Sequence, residues 1–162
     1  MIRQARQADL PVILDLYARA RRFMAENGNP TQWGDRWPLA EVVEEDMELG
    51  RLFVCEREGT VRGAFAFLVG PDETYALIEE GSWRSDELYG TIHRIAADGV
   101  SGGVFAECIN WCKGQLGHLR IDTHRDNKPM RHLVVKCGFE YQGIIYTGDG
   151  TPRLAYDYLR EN

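Results

Sequence analysis

The chain has 162 residues, 44% hydrophobic and 27% charged, with a formal net charge of −6. That length suits one domain over residues 1–162, large enough to bury a full core. The acidic balance argues against a nucleic-acid partner, whose sites are basic, and no apolar run nears the roughly 20 residues that span a bilayer.

The first residues, MIRQARQADL, lack the apolar core of a signal peptide, so a cytoplasmic location is expected. Ile2 to Arg6 reads as a short strand. Asp9 is placed to cap a helix with Pro11 in its first turn, and Leu10, Ile13, Leu14 and Tyr17 form its apolar stripe. That helix should stop near Glu26, before Asn27-Gly28-Asn29-Pro30. A loop with Gln32, Trp33, Gly34 and Trp37 precedes a second helix from about Leu39 to Leu49. LFVCERE and VRGAFAFLVG flank Glu58-Gly59-Thr60, a hairpin signal. Pro71 to Asp86 is irregular, and Leu88 to Ala97 reads as a fourth strand.

After the glycine-bearing run Gly99-Val100-Ser101-Gly102-Gly103-Val104, the residues Phe105, Cys108, Ile109, Cys112 and Leu116 stripe a helix. HLRIDTH then alternates: Leu119, Ile121 and Thr123 share one face, and His118, Arg120, Asp122 and His124 the other. Met130, Leu133, Val134 and Cys137 stripe a last helix, with Asp126 as its expected N-cap and Gly138 as a left-handed stop. Two strands around Gly148-Asp149-Gly150 close the chain. The order β-α-α-β-β-β-α-β-α-β-β gives an α/β class: a mixed sheet of about seven strands with helices on both faces. Cys55, Cys108, Cys112 and Cys137 read as buried reduced thiols, and their spacing supplies no zinc site.

Small residues before a helix let an anion reach its unpaired N–H groups. A dinucleotide-binding reading is poor, because such a glycine turn follows the first strand of a parallel sheet and this one follows a fourth. That loop-helix unit, a strand, and an Asn127-led helix closing at Cys137-Gly138-Phe139 together resemble the GNAT superfamily of acyl-CoA N-acyltransferases, nearly end to end. Gln32-Trp33-Gly34, His93-Arg94-Ile95-Ala96 and Asp122-Thr123-His124 resemble an uncharacterised bacterial branch of it. The resemblance implies acetyl-CoA as cofactor. Its pantetheine arm would lie on Ile95, Ala96 and Ala97 of the Ile92–Ala97 strand, and its pyrophosphate on Gly99, Val100, Ser101, Gly102, Gly103 and Val104. Asn127 would hydrogen-bond the arm, and an amide near Ile95 would polarise the thioester carbonyl.

Two positions depart from the family pattern. The loop usually reads Gln/Arg-x-x-Gly-x-Gly/Ala, and here Gly99 and Val104 replace the polar and second small residues. A Tyr that protonates the departing thiolate often stands seven residues after the Asn; here that residue is Val134.

His93, expected on one strand face with Tyr89, Thr91 and Ile95, is either a satisfied core residue or a base. Arg94 is expected on the opposite face, in an ion pair or on phosphate. Asp122 and His124 share a strand face and could act as an acid-base couple, although polar strand ends show the same alternation. No metal site is expected. Tyr146 and His124 are candidate donors to the thiolate. Trp33, Trp37, Glu79, Glu80 and Trp83 are candidate acceptor contacts, with loop packing and solvated charge as their plainer roles.

The expected activity is N-acetyl transfer to the primary amine of a small molecule by direct attack in a ternary complex. The alternatives are a non-catalytic acyl-CoA-binding module and a protein or peptide N-acetyltransferase. Many members of the superfamily pair, so a homodimer is the partner the resemblance suggests.

Overall fold

The computed structural model describes residues 1–161. Strand β1 (Ile2–Gln4) leads through a 3-10 turn (Gln7–Asp9) into helix α1 (Leu10–Glu26). Asp9 does not cap that helix with its side chain, as its position suggested. Its carboxylate instead accepts the Arg6 amide at 2.7 Å and a two-pronged bond from Arg3 at 2.7 and 2.9 Å, tying the turn back to β1. Helix α2 (Ala40–Glu48) follows, then β2 (Leu52–Arg57) and β3 (Thr60–Val69). Their hairpin turns on Glu58 and Gly59, both at positive φ (52° and 76°), the conformation whose twist suits a two-residue turn.

The remaining elements are β4 (Gly90–Ala97), α3 (Val104–Gln115), β5 (His118–Thr123), α4 (Lys128–Lys136), β6 (Glu140–Tyr146) and β7 (Pro152–Leu159). Between β3 and β4 lies a 3-10 turn, Glu73–Tyr75, inside the segment expected to be irregular. One sheet unites all seven strands in the order β1-β2-β3-β4-β5-β7-β6. Only β4 and β5 are parallel among its neighbours.

The two faces of the sheet have separate cores. Phe65, Ile92, Ile95, Leu119 and Ile121 pack against Cys108, Ile109 and Cys112 of α3 and Val134 of α4. Each such side chain contributes roughly 1.5–3 kcal/mol by leaving water. On the other face Leu52, Val54, Ala64 and Ala96 meet Ile13, Leu16 and Tyr17 of α1 and Val43 of α2. Helix α4 ends in a paired left-handed stop: Gly138 adopts φ 93°, its amide donates to Val135 and the Phe139 amide to Val134. The N-cap of α4 is Asn127 and not Asp126, because the Asn127 carboxamide oxygen accepts the Met130 amide at 3.2 Å.

Candidate active site

Strand β4 changes character at its midpoint. Gly90 and Thr91 pair with Leu119 and Arg120 of β5, and beyond Thr91 that pairing stops. On the other edge His93 opposes Ala66 and Ala96 opposes Ala64, so Phe65 alone faces both Arg94 and Ile95. This is a bulge, with Arg94 at φ 51°. A non-glycine residue there costs on the order of 1–3 kcal/mol and needs support. Two helices supply it. Asp46 of α2, fully buried, accepts from the Arg94 guanidinium at 2.7 and 2.9 Å, and Tyr17 of α1 donates its hydroxyl to the Arg94 carbonyl at 2.7 Å.

The bulge re-aims the side chains. Ile95 joins Ile92 on the α3 face, whereas strict alternation placed it beside His93. Arg94, expected opposite His93, reaches α2, which packs on the His93 face. The second half of β4 thus keeps its β5-facing backbone groups unpaired, and the two strands diverge around a cavity of about 610 Å³.

The loop after β4 leads into the start of α3. Gly99 and Gly103 adopt φ 78° and 74°, and a side chain at Gly102 would meet nothing within 4 Å. Asp98, however, already takes the Val100 and Ser101 amides at 3.1 and 2.9 Å and the Ser101 hydroxyl at 2.8 Å. Burial opposes ionisation of Asp98, but those bonds from Ser101 and Val100 outweigh it and hold the carboxyl below its ordinary value. An anion is therefore left the amides at the α3 start, from Gly103 onward, rather than those of Val100 and Ser101. Arg57 of β2 donates to the Gly102 carbonyl at 2.7 Å, and its guanidinium is paired with Glu107 of α3 at 3.0 Å.

His93 stands at the cavity wall. Its Nε2 lies 2.7 Å from Asp72, and its Nδ1 is 4.0 Å from Asp122. Burial pushes the Asp72 carboxyl up, yet hydrogen bonds from His93 and Thr74 prevail and keep it well below the usual carboxylate range. Asp122 is itself fixed by the Tyr75 hydroxyl, which donates at 2.6 Å. Burial and the neighbouring Asp122 hold that phenol protonated. Two carboxylates thus flank one imidazole, one of them in direct contact, an arrangement that orients the ring. Trp33, Trp37, Gln32, Ile145 and Arg153 complete the wall.

An acetyltransferase of the GNAT family from Streptococcus agalactiae 2603 matches this chain at 30% sequence identity with a TM-score of 0.89, over 100% of this chain and 96% of that one. The chain belongs to the GNAT family of acetyltransferases. A GNAT-family acetyltransferase from Listeria monocytogenes 4b F2365 shares the fold at 23% identity and TM-score 0.72, over 98% and 94% of the two chains. So does the yncA protein of Salmonella typhimurium, solved with its cofactor acetyl-CoA, at 17% identity and TM-score 0.60 over 100% and 94%. No family model matches the sequence, and no curated protein does.

On the GNAT frame the residues expected at the site divide into two groups. His93, Asp122, Ile95, Trp33 and Trp37 line the cavity. His124 does not. It follows the end of β5, its Nδ1 accepts the Asp126 amide at 3.0 Å, and its Nε2 faces the Thr31 hydroxyl at 3.4 Å. Burial, then the Arg153 charge, lowers its pKa. The couple expected between Asp122 and His124 is replaced by one between His93 and Asp72.

Tyr146 lies outside the cavity and donates to Glu79 at 2.9 Å. Glu79 is also bridged through its backbone to Ile144, and Glu80 takes a turn conformation at φ 56°. Trp83 is not among the cavity-lining residues: its indole donates to the Tyr75 carbonyl at 2.9 Å and its ring covers Arg120. Asn127 is buried and donates to the Gln32 side chain at 3.0 Å, which couples α4 to the Trp33 loop. Val134 is fully buried in the α3-side core, so no hydroxyl occupies its place. Among the described residues no cluster of His, Cys, Asp and Glu could hold a metal ion.

Sequence reasoning passed over Asp72, Tyr75, Asp46, Arg57 and Arg153. A local signal existed for Asp72 alone: Asp72-Glu73-Thr74 is a helix-start pattern, and its carboxylate does accept the Thr74 amide. The others act through partners distant in sequence.

Proposed function

We propose that this protein is an N-acetyltransferase that moves an acetyl group from acetyl-CoA to the primary amine of a small molecule within a single domain. The observation that carries the reading is the opened second half of β4, bulged at Arg94 and leading into the bare helix start at Gly103. An unpaired strand edge suits the amide groups of a pantetheine arm, and a helix N-terminus suits a pyrophosphate. The residues present fit the cofactor: a side chain at Gly102 would meet nothing, so a phosphate has room there.

In this reading acetyl-CoA supplies an activated thioester carbonyl. The amide at the bulge, beside Ile95, polarises that carbonyl oxygen. Only a free amine is nucleophilic, so the acceptor ammonium first gives a proton to His93, which Asp72 orients. The amine nitrogen then bonds the carbonyl carbon, the carbon–sulfur bond breaks, and the second amine proton passes to water, which makes up the proton that the sulfur takes. The sulfur takes a proton from water, since Val134 offers none, Tyr146 is directed at Glu79, and the His124 Nδ1 is held by a backbone amide.

Small-molecule selectivity is supported by the walled cavity and its two indoles. A cytoplasmic setting is supported by four unpaired cysteines, three of them buried. No described helix is long and apolar enough to cross a membrane. The test is thiol release from acetyl-CoA across a broad panel of primary amines. Amine-dependent release in wild type that falls by about 10²-fold or more in His93→Ala supports the reading. No release with any amine at saturating acetyl-CoA overturns it.

A further inference from the structure

Several less buried guanidinium groups in this protein have a carboxylate partner, whereas the two arginines buried most deeply, Arg120 and Arg153, have none in direct contact. Arg94 is paired with Asp46, Arg3 with Asp9 and Glu56, and Arg84 with Asp157. Arg120 has no carboxylate, but its guanidinium lies between the Trp83 and Tyr89 rings, 4.1 and 3.8 Å from their centroids. Arg153 has neither. It is 8% exposed, makes no ion pair and no ring contact among the described residues, and lines the cavity that holds His93. Two of its five N–H groups donate to backbone carbonyls, of Pro152 at 3.2 Å and Gln32 at 3.1 Å. Those bonds fix the fork without neutralising it. Burying a cation with no counterion is costly, and burial lowers its pKa.

Asp122 and Asp149 favour that charge from a distance, but neither pairs with it directly. Asp149, in the β6–β7 turn, accepts instead from the Thr147 hydroxyl and the Thr151 amide. Asp122 is held by Tyr75. Arg153 opposes Ile145 across β6–β7, while Asp122 opposes Ala155, two residues along β7 from Arg153. Asp122 and Arg153 are therefore diagonal neighbours on the cavity face, with backbones roughly 7–8 Å apart. One wall of the cavity thus presents His93 with two carboxylates, and a short step away a fixed guanidinium fork.

We propose that the acceptor is an amino acid: its amine is received at His93, Asp72 and Asp122, and its carboxylate docks on the free edge of the Arg153 fork. A guanidinium fork matches a carboxylate with two parallel bonds, and an amine without that carboxylate leaves the buried charge unanswered. Trp33 and Trp37 supply apolar surface for the side chain of the acceptor. The inference rests on the acetyl-transfer reading for the role of the bound molecule, but the carboxylate site itself is detectable without turnover.

The experiment uses matched pairs, each an amino acid and its decarboxylated amine, titrated by calorimetry into the full chain saturated with coenzyme A. Thiol release from acetyl-CoA is measured in parallel. The amino acid of at least one pair is expected to bind on the order of ten- to a hundredfold more tightly than its amine. Arg153→Gln brings the members of that pair to within about twofold, and Arg153→Lys, which keeps the charge but not the fork, retains an intermediate preference. Equal binding within every wild-type pair, tighter binding of the amines, or no binding of either member overturns the proposal whether or not the variants fold. Thiol release from amines without preference for the carboxylate sinks the amino-acid assignment and leaves acetyl transfer standing. A carboxylate preference in binding, with no thiol release from any compound, sinks acetyl transfer and leaves the Arg153 site.

Discussion

The two halves of β4 are put to different uses. Gly90 and Thr91 are paired on both edges and lie inside the sheet, where a side chain at Gly90 would strike the Phe67 ring at 2.6 Å. From His93 onward one edge is unpaired, one residue is extra, and the strand is held from outside by Tyr17 and Asp46. The first half is stabilised by its own ladder. The second is an exposed row of backbone groups kept in place by two helices, which is what a protein needs if a ligand is to complete its sheet.

If that contrast is right, the strongest way to break it is through the helices rather than the strand. Asp46→Ala leaves Arg94 and Arg51 without their buried partner and should lower unfolding free energy by about 3–5 kcal/mol in urea denaturation. The same substitution should weaken cofactor binding, because the bulge loses its clamp. A stable variant with unchanged cofactor affinity would mean that the bulge needs no outside support.

His93→Gln probes the open half without disturbing the closed one. It should reduce kcat by about 10²–10⁴-fold with urea midpoint and acetyl-CoA affinity nearly unchanged. A matching loss of stability would reassign His93 to the core.

Acid should act on two sets of groups in different pH ranges. Burial lowers the pKa of His118 and His124, so just below the unfolded value of 6.5 the unfolded chain binds more protons than the folded one. Stability from these rings is complete above pH 6.5 and declines as pH falls below it. The carboxylates Asp72 and Glu107 have lowered folded values, Glu107 down to about 2, held chiefly by the N-terminal ammonium and Cys55. Their contribution persists to about pH 4 and is lost as pH falls further. Urea midpoints at pH 7, 5.5 and 3 should show two steps, the first smaller in a His118→Gln variant.

The smallest effect belongs to the closed side of the sheet. Glu58→Gly relieves a positive-φ residue in the β2–β3 turn and should stabilise the protein by about 0.5–1 kcal/mol, with activity unchanged.

Much of the frame was legible because it follows from local rules. The Glu58-Gly59 turn, the Cys108-Ile109-Cys112 stripe of α3 and the Gly138 stop each depend on neighbours within a few residues. Alternation also placed Leu119 and Ile121 correctly against Asp122 and Arg120. The site was legible only in outline. Nothing local tells Arg94 to adopt a positive φ; that follows from Asp46 and Tyr17, 48 and 77 residues away. The bulge then moved Ile95 to the other face, which period-two reasoning cannot foresee. The chain leaves the β5 strand at Thr123, so alternation failed for His124, and its expected couple with Asp122 dissolved. Tyr146 and Glu79 were expected at the cavity and instead satisfy one another outside it.

The most direct test of the open half of β4 is calorimetric titration of acetyl-CoA into wild type and Gly102→Glu. The account predicts saturable binding to wild type, and loss of that binding when a glutamate places bulk and negative charge before the α3 amides. Equal binding by both proteins, or none by wild type, would contradict the claim that this strand and helix start form the cofactor cradle.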